Sequence, residues 1–202
     1  ATGMGVWGSD YHYAAWAALA QAQYSYKEKY VATASIRYDR TYKFAPKTRG
    51  GYFPGVSAAW IISKEPWMKG VEAFDLLKVR AGYGVTGNSE ITAFLYQDSF
   101  GTSNTYNDKV VAVAERMPND RLGWESAHMA TVGLDMSLVG RVNVTLDLYN
   151  TDNKNLLLDV PQAPSTGFTT YTANVGTVNN KGVEIAVDAD VIKTKDWNWN
   201  LG

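Results

Sequence analysis

The chain has 202 residues, a formal net charge of −1 and no cysteine. The missing cysteine excludes disulfides, thiolate metal sites and cysteine nucleophiles, and the near-neutral charge leaves no global basic footprint for nucleic acid or anionic lipid. No apolar run is long enough for a transmembrane helix, but 13 Tyr and 7 Trp are heavy use of the residues that favour membrane interfaces and sugar-stacking surfaces.

Residues 1–10 are Gly-rich and read as loop. From residue 12 to 26, Ala14, Trp16, Ala18, Ala20, Ala22, Tyr24 and Tyr26 alternate with polar positions such as Gln21, Gln23 and Ser25. The alternation predicts a strand, although the alanines would also permit a helix over residues 13–23. A charged turn, Lys27-Glu28-Lys29, leads to a second strand in which Tyr30, Ala32, Ala34, Ile36 and Tyr38 oppose Thr33, Ser35, Arg37 and Asp39. After a polar loop over 40–51, Val56, Ala58, Trp60 and Ile62 oppose Gly55, Ser57 and Ala59. Residues 64–75, with Pro66 and Met68, read as a connection holding a short helical turn.

The next strand sets Leu77, Val79, Ala81, Tyr83 and Val85 against Lys78, Arg80, Gly82 and Gly84. Two cations on one strand face are costly in a packed core and ordinary beside water. Residues 86–122 form a long polar excursion. Residues 130–150 then show the clearest pattern in the chain. Val132, Leu134, Met136 and Leu138, then Val142, Val144, Leu146 and Leu148, make an aliphatic face opposite Thr131, Asp135, Asn143, Thr145 and Asp147. A period of two broken at Gly140 signals an antiparallel hairpin. A second excursion over 151–179 carries Pro161, Pro164 and Gly167. Val183, Ile185, Val187, Ala189 and Val191 oppose Glu184, Asp188 and Asp190, and after a charged turn a final strand starts at Trp197.

Short connections at 27, 139–141 and 193 alternate with long ones at 40, 86 and 151 around about eight strands, the 64–75 connection being longer than its side would suggest. Period-two patterning, aromatics at strand ends and alternating loop lengths describe an outer-membrane β-barrel. Three other readings stay open on these grounds. They are a soluble β-sandwich binding glycans, a free-standing small barrel, and a glycosidase, which would need two converging carboxylates that the sequence does not offer as a pair.

Four runs, GYFPGVSAAWIISKEPWMKG (51–70), LLKVRAGYGVTGN (76–88), LGWESAHMATVGLD (122–135) and TANVGTVNNKGVEI (172–185), closely resemble the SusC/RagA family of TonB-dependent outer-membrane transporters of Bacteroidetes. YSYKEKYVATASIRYD (24–39) before them, and LLLDVP and STGF between them, keep the same order. The resemblance covers nearly everything from Tyr24 onward. It implies an all-β fold: an antiparallel transmembrane β-barrel segment, about eight strands of a larger 22-stranded plugged barrel. Residues 1–202 are then expected to be one partial barrel domain in the outer membrane of a Gram-negative bacterium, without the plug, the TonB box or a signal peptide. The implied partners are a SusD-like surface lipoprotein, the TonB complex, the bilayer, and an oligosaccharide or peptide substrate. No cofactor and no catalysis are implied.

The resemblance points to polar side chains facing the lumen, Arg37, Lys78, Arg80, Asp135, Asp147 and Glu184, as contacts for plug or substrate; simple solvation is the plainer alternative. The loop aromatics Tyr96, Phe100, Tyr106, Phe168 and Tyr171 are candidates for stacking on a ligand or lid, or for packing among the loops themselves. Other constellations read as structure. His12 and His128 lack ligand spacing, Ser126 and His128 near Asp135 lack a nucleophile elbow, and Asp188 with Asp190 suits a wet wall. The GYG around Tyr83 suits a bending strand better than a phosphate loop.

Overall fold

A computed structural model describes residues 13–202, apart from the side chains of Ser103, Asn104 and Lys193; His12 lies outside the described residues. Twelve strands follow in order: β1 (Ala15–Tyr26), β2 (Tyr30–Thr41), β3 (Gly50–Ile61), β4 (Phe74–Asn88), β5 (Ser99–Tyr106), β6 (Lys109–Arg116), β7 (Glu125–Leu138), β8 (Val142–Lys154), β9 (Leu157–Pro161), β10 (Thr170–Asn174), β11 (Thr177–Lys193) and β12 (Asn198–Leu201). Eight of them form one antiparallel sheet in the order β1-β2-β3-β4-β7-β8-β11-β12, while β5-β6 and β9-β10 are separate hairpins. The alanine-rich opening is extended, not helical. Its residues pair with β2 without a break from Ala15↔Thr41 to Tyr26↔Tyr30, and the ladder satisfies the backbone groups that point towards β2.

The sheet has two unlike faces, fixed by register. One row runs Ala32↔Ala58↔Ala81↔Val132↔Leu148↔Val183 across six strands. The row one residue along runs Val31↔Ala59↔Arg80↔Gly133↔Asp147↔Glu184 on the opposite face. Because side chains alternate, the register carries one aliphatic surface and one more polar surface across these six strands, and it shifts near their lower ends, at Phe74/Leu76 and Asp190/Ile192. Val132, Leu148, Val183 and Ile185 are exposed on the aliphatic side, with no second sheet over them among the described residues. A β-sandwich would have buried that face.

Aromatics bracket the aliphatic band. Tyr26, Tyr30 and Trp60 line its lower margin and Trp16, Tyr38 and Tyr52 its upper margin, each ring in contact with the next. From Tyr30 to Tyr38 the strand climbs about 27 Å at roughly 3.4 Å per residue. At a barrel tilt of about 40° that is a height of about 21 Å, close to the roughly 25 Å apolar band of an outer-membrane barrel.

At the lower end the connections are tight. Lys27 and Glu28 both take positive φ, as do Val139 and Gly140. Backbone bonds Lys29 N–H to Tyr26 O and Arg141 N–H to Leu138 O, each 3.0 Å, close them. These are turns of the primed type, whose twist matches that of paired strands. The β3–β4 connection holds two short 3₁₀ turns, Ile62–Lys64 and Pro66–Met68, where the sequence suggests one helical turn.

At the upper end the long connections build the buried core. The buried apolar side chains among the described residues are Phe44, Ala45, Phe53, Leu122 and Ala173, and all lie in or beside these loops. Trp124 packs against both Phe44 and Phe53, and its indole N–H donates to Arg49 O at 3.0 Å. The sheet itself is a single layer. β1 and β12 do not pair, so the eight strands form an open wall and not a closed small barrel.

Candidate functional site

The polar face carries a charged chain that crosses three strands. Lys78 and Arg80 project from β4, Asp135 from β7 and Asp147 from β8. Lys78 Nζ and Arg80 Nε each lie 3.2 Å from Asp135 Oδ2, and Arg80 Nη2 lies 2.7 Å from Asp147 Oδ2. The four side chains are 22% to 34% exposed, so the pairs are wet and each contributes about 1 kcal/mol or less. Asp135 and Asp147 each have a cation at hand, which is why carboxylates and cations coexist on one wall.

Glu184 follows Asp147 directly across the ladder and is exposed, with no ion pair among the described residues. Arg37 also faces inward; its Nε lies 2.8 Å from a carboxylate oxygen of Asp39. Of the six polar residues named from sequence, Lys78, Arg80, Asp135 and Asp147 therefore form one cluster, while Arg37 and Glu184 stand apart from it. Towards the upper end the same face becomes smooth. A shallow groove of about 320 Å³ is lined by Ser35, Gly55, Ser57, Gly82, Thr86 and Thr131 among others. The glycines of the GYG run thus keep the wall free of side chains where it would otherwise be obstructed.

The loop aromatics divide. Phe100 and Tyr106 stand out from the β5-β6 hairpin, 62% and 77% exposed. Tyr96 is half-buried against Phe94, with an Arg49 N–H donating to its hydroxyl at 3.4 Å; Phe168 and Tyr171 are also half-buried. Sequence reasoning missed the residues that hold the rim together. Asn174 on β10 accepts from Gly123 N–H at 2.7 Å and donates to Gly123 O and Asn155 O at 2.9 and 3.0 Å. Asn119 donates to Thr172 O at 2.9 Å, and Thr48 donates to Leu122 O at 2.6 Å. These bonds tie the three long connections to one another.

Ser126 and His128, which read from the sequence as strand residues without a nucleophile elbow, do meet. Ser126 Oγ lies 3.2 Å from His128 Nε2 and the Tyr83 hydroxyl 2.8 Å from Nδ1. The alternation puts Asp135 on the opposite face from His128, so the three are not a triad. Asp188 pairs with Asn143 across the ladder, and Asp190 accepts from the Asn200 amide at 3.1 Å; the two carboxylates engage different neighbours.

A single antiparallel sheet, apolar outside and polar inside, with short turns below and interlocked loops above, is the wall of a β-barrel that crosses a membrane with strands. Residues 2–202 match the family model described as TonB dependent receptor-like, beta-barrel. The chain belongs to that family. It is 36% identical to a TonB-dependent receptor of Formosa agariphila over 89% of this chain and 17% of that protein, and 31% identical to SusC of Bacteroides thetaiotaomicron over 88% of this chain and 19% of that protein. Among solved structures it is similar to the RagAB peptide importer in its closed-closed state, at TM-score 0.84 and 26% identity, covering 92% of this chain and 21% of that one. The likeness to SusC and RagAB places it with the SusC/RagA type. The chain spans about a fifth of the length of these relatives.

Proposed function

We propose that this chain is part of the barrel domain of an energised outer-membrane importer in a Gram-negative bacterium. The observation that carries the reading is the pair of faces carried across six strands: an aliphatic surface bracketed by aromatics, backed by a hydrated wall of small and charged side chains. In this reading residues 1–202 supply wall and rim, and a plug and a TonB-engaging segment come from the rest of the protein. Substrate is captured above the rim beneath a SusD-like lipoprotein. A pull from the TonB complex on the plug then opens a path along the polar face. The chain's own role needs no catalysis.

The substrate class is oligosaccharide or peptide, supported by the names of the similar proteins SusC and the RagAB peptide importer. Within the wall, Lys78, Arg80, Asp135 and Asp147 neutralise one another, and their role is to hold the inner surface in shape. Glu184 and Arg37 are the charges best placed to contact a plug or a passing ligand. Phe100 and Tyr106 are the aromatics best exposed to meet ligand or lid, while Tyr96, Phe168 and Tyr171 are half-buried.

The test is uptake of fluorescently labelled oligosaccharides and oligopeptides by cells with and without the full-length gene. The expected result is loss of uptake of one class on deletion, and the same loss when a protonophore collapses the energy supply. Uptake of both classes unaffected by deletion would contradict the reading. Phe100→Ala with Tyr106→Ala is expected to weaken capture of that class while leaving the protein in the membrane.

A further inference from the structure

The aliphatic face is not uniform. Near its lower margin three alanines, Ala32, Ala58 and Ala81, lie side by side on β2, β3 and β4. Below them three rings form a wall: Tyr26 stacks on Tyr30 at 6.4 Å between centroids, and Tyr30 on Trp60 at 6.3 Å and 15°. Tyr24 and Val79 complete a groove of about 330 Å³ with an alanine floor. The wall is pinned from behind. Tyr30 Oη donates to Glu65 Oε1 at 2.7 Å and Trp60 Nε1 donates to the same oxygen at 3.1 Å.

Charge at the lip of this groove is asymmetric. Lys29 is paired with Glu65 and Lys64 with Glu28, each at 3.0 Å. Lys27 has no carboxylate partner among the described residues; its Nζ lies 5.1 Å from the centre of the Tyr26 ring, on the groove's own wall. A cation held over an aromatic at the membrane margin is positioned for an anionic headgroup, and a preformed apolar slot directly above it has the form of an acyl-chain site. Hydrocarbon must fill such a slot in any case, since a void would forfeit its dispersion contacts. A rigid wall lowers the ordering cost of the chain that does so.

We infer that this groove holds one phospholipid of the periplasmic leaflet, an acyl chain lying across Ala32, Ala58 and Ala81 and its phosphate at Lys27. The inference rests on the outer-membrane reading above. The stacked rings and Glu65 act as a fixed frame for the lipid, where the rest of the band meets a fluid annulus.

The experiment is native mass spectrometry of the full-length protein, extracted from outer membranes in mild detergent, counting phospholipid adducts by mass. The wild type is expected to retain one phospholipid. Ala58→Phe, which fills the floor with an apolar ring that the bilayer tolerates, is expected to lower its occupancy by about tenfold, as for loss of contact with a couple of methylene groups. Val183→Phe, on the same face away from the groove, is expected to retain it. Lys27→Ala is expected to shorten retention as detergent concentration rises. No retained phospholipid in the wild type, detergent adducts alone, or equal retention in Ala58→Phe and Val183→Phe would overturn the inference while leaving the outer-membrane reading intact. Absence of the protein from the outer-membrane fraction would overturn both.

Discussion

Arg80 on β4 bonds Asp147 on β8, two strands away, by passing over Gly133 on the strand between them. The ladder places Arg80, Gly133 and Asp147 in one row. A Cβ at Gly133 would lie 2.5 Å from Arg80 Cζ and 2.6 Å from Asp147 Oδ1. The glycine is therefore a passage for the guanidinium, and its lack of a side chain is what allows a cation to serve two carboxylates.

This relationship can be measured as a coupling. In urea unfolding of the folded barrel in detergent, a double-mutant cycle between Arg80→Ala and Asp147→Asn is expected to give about 1 kcal/mol. In a Gly133→Ala background the same cycle is expected to fall below about 0.3 kcal/mol, because the added methyl displaces the guanidinium. Unchanged coupling would show that Arg80 reaches Asp147 by another route.

Asn174 is the peg of the rim. Replacing it by Ala removes one acceptor and two donor contacts to Gly123 and Asn155, leaving backbone groups without partners at an expected cost of about 1–3 kcal/mol. The loss should be local. Hydrogen exchange is expected to quicken in 119–125 and 155–176 while β7 and β8 keep their protection. Equal quickening in the strands would mean that the rim and the wall unfold as one unit.

Glu65 makes the lower connection sensitive to acid. Hydrogen bonds from Tyr30, then Lys29 and Trp60, hold its carboxyl down to about 2 from an ordinary 4.5. Because the folded value lies below the unfolded one, its stabilisation is complete above about pH 4.5 and is lost as the pH falls towards 2. Protection of the backbone amides of 62–69, taken relative to their intrinsic exchange rates at each pH, is expected to fall across that window in the wild type. With Glu65→Gln protection should be lower already at neutral pH and unchanged by acid.

Val139 sits at φ +50° in the β7–β8 turn. A β-branched side chain is a poor occupant of the left-handed region. Val139→Asn, which adopts that region readily, is expected to raise unfolding stability by about 1 kcal/mol. A loss of stability would show that the valine side chain makes a contact that outweighs its backbone strain.

Much of the sheet is readable in the sequence because alternation is a local property of each strand. Val132 to Leu138 and Val142 to Leu148 declare both faces without knowledge of any partner. The β5-β6 hairpin escaped because Ser99–Tyr106 is polar and Lys109–Arg116 nearly continuously apolar, so neither alternates. Its one local sign is the Asn107-Asp108 pair, whose two positive φ values make a primed turn. The β9-β10 hairpin, five residues a strand, is too short to show a period. The loop core escaped for a different reason. Phe44, Leu122 and Ala173 come from three connections far apart in sequence, and only the strand order of the sheet below brings them together. The charged row was half legible: alternation puts Lys78, Arg80, Asp135 and Asp147 on one face, but which cation meets which carboxylate depends on the stagger between strands.

The central claim is that one face of this sheet meets lipid and the other meets water. Spin labels placed singly along β7 and β8, from residue 130 to 148, in the full-length protein reconstituted in bilayers test it most directly. Collision with oxygen, which concentrates in lipid, and with a water-soluble nickel chelate should alternate in antiphase with a period of two. Oxygen should dominate at 132, 134, 136, 144, 146 and 148, and nickel at 131, 133, 135, 143, 145 and 147. Nickel access at both sets of positions, or no alternation, would contradict the barrel-wall account.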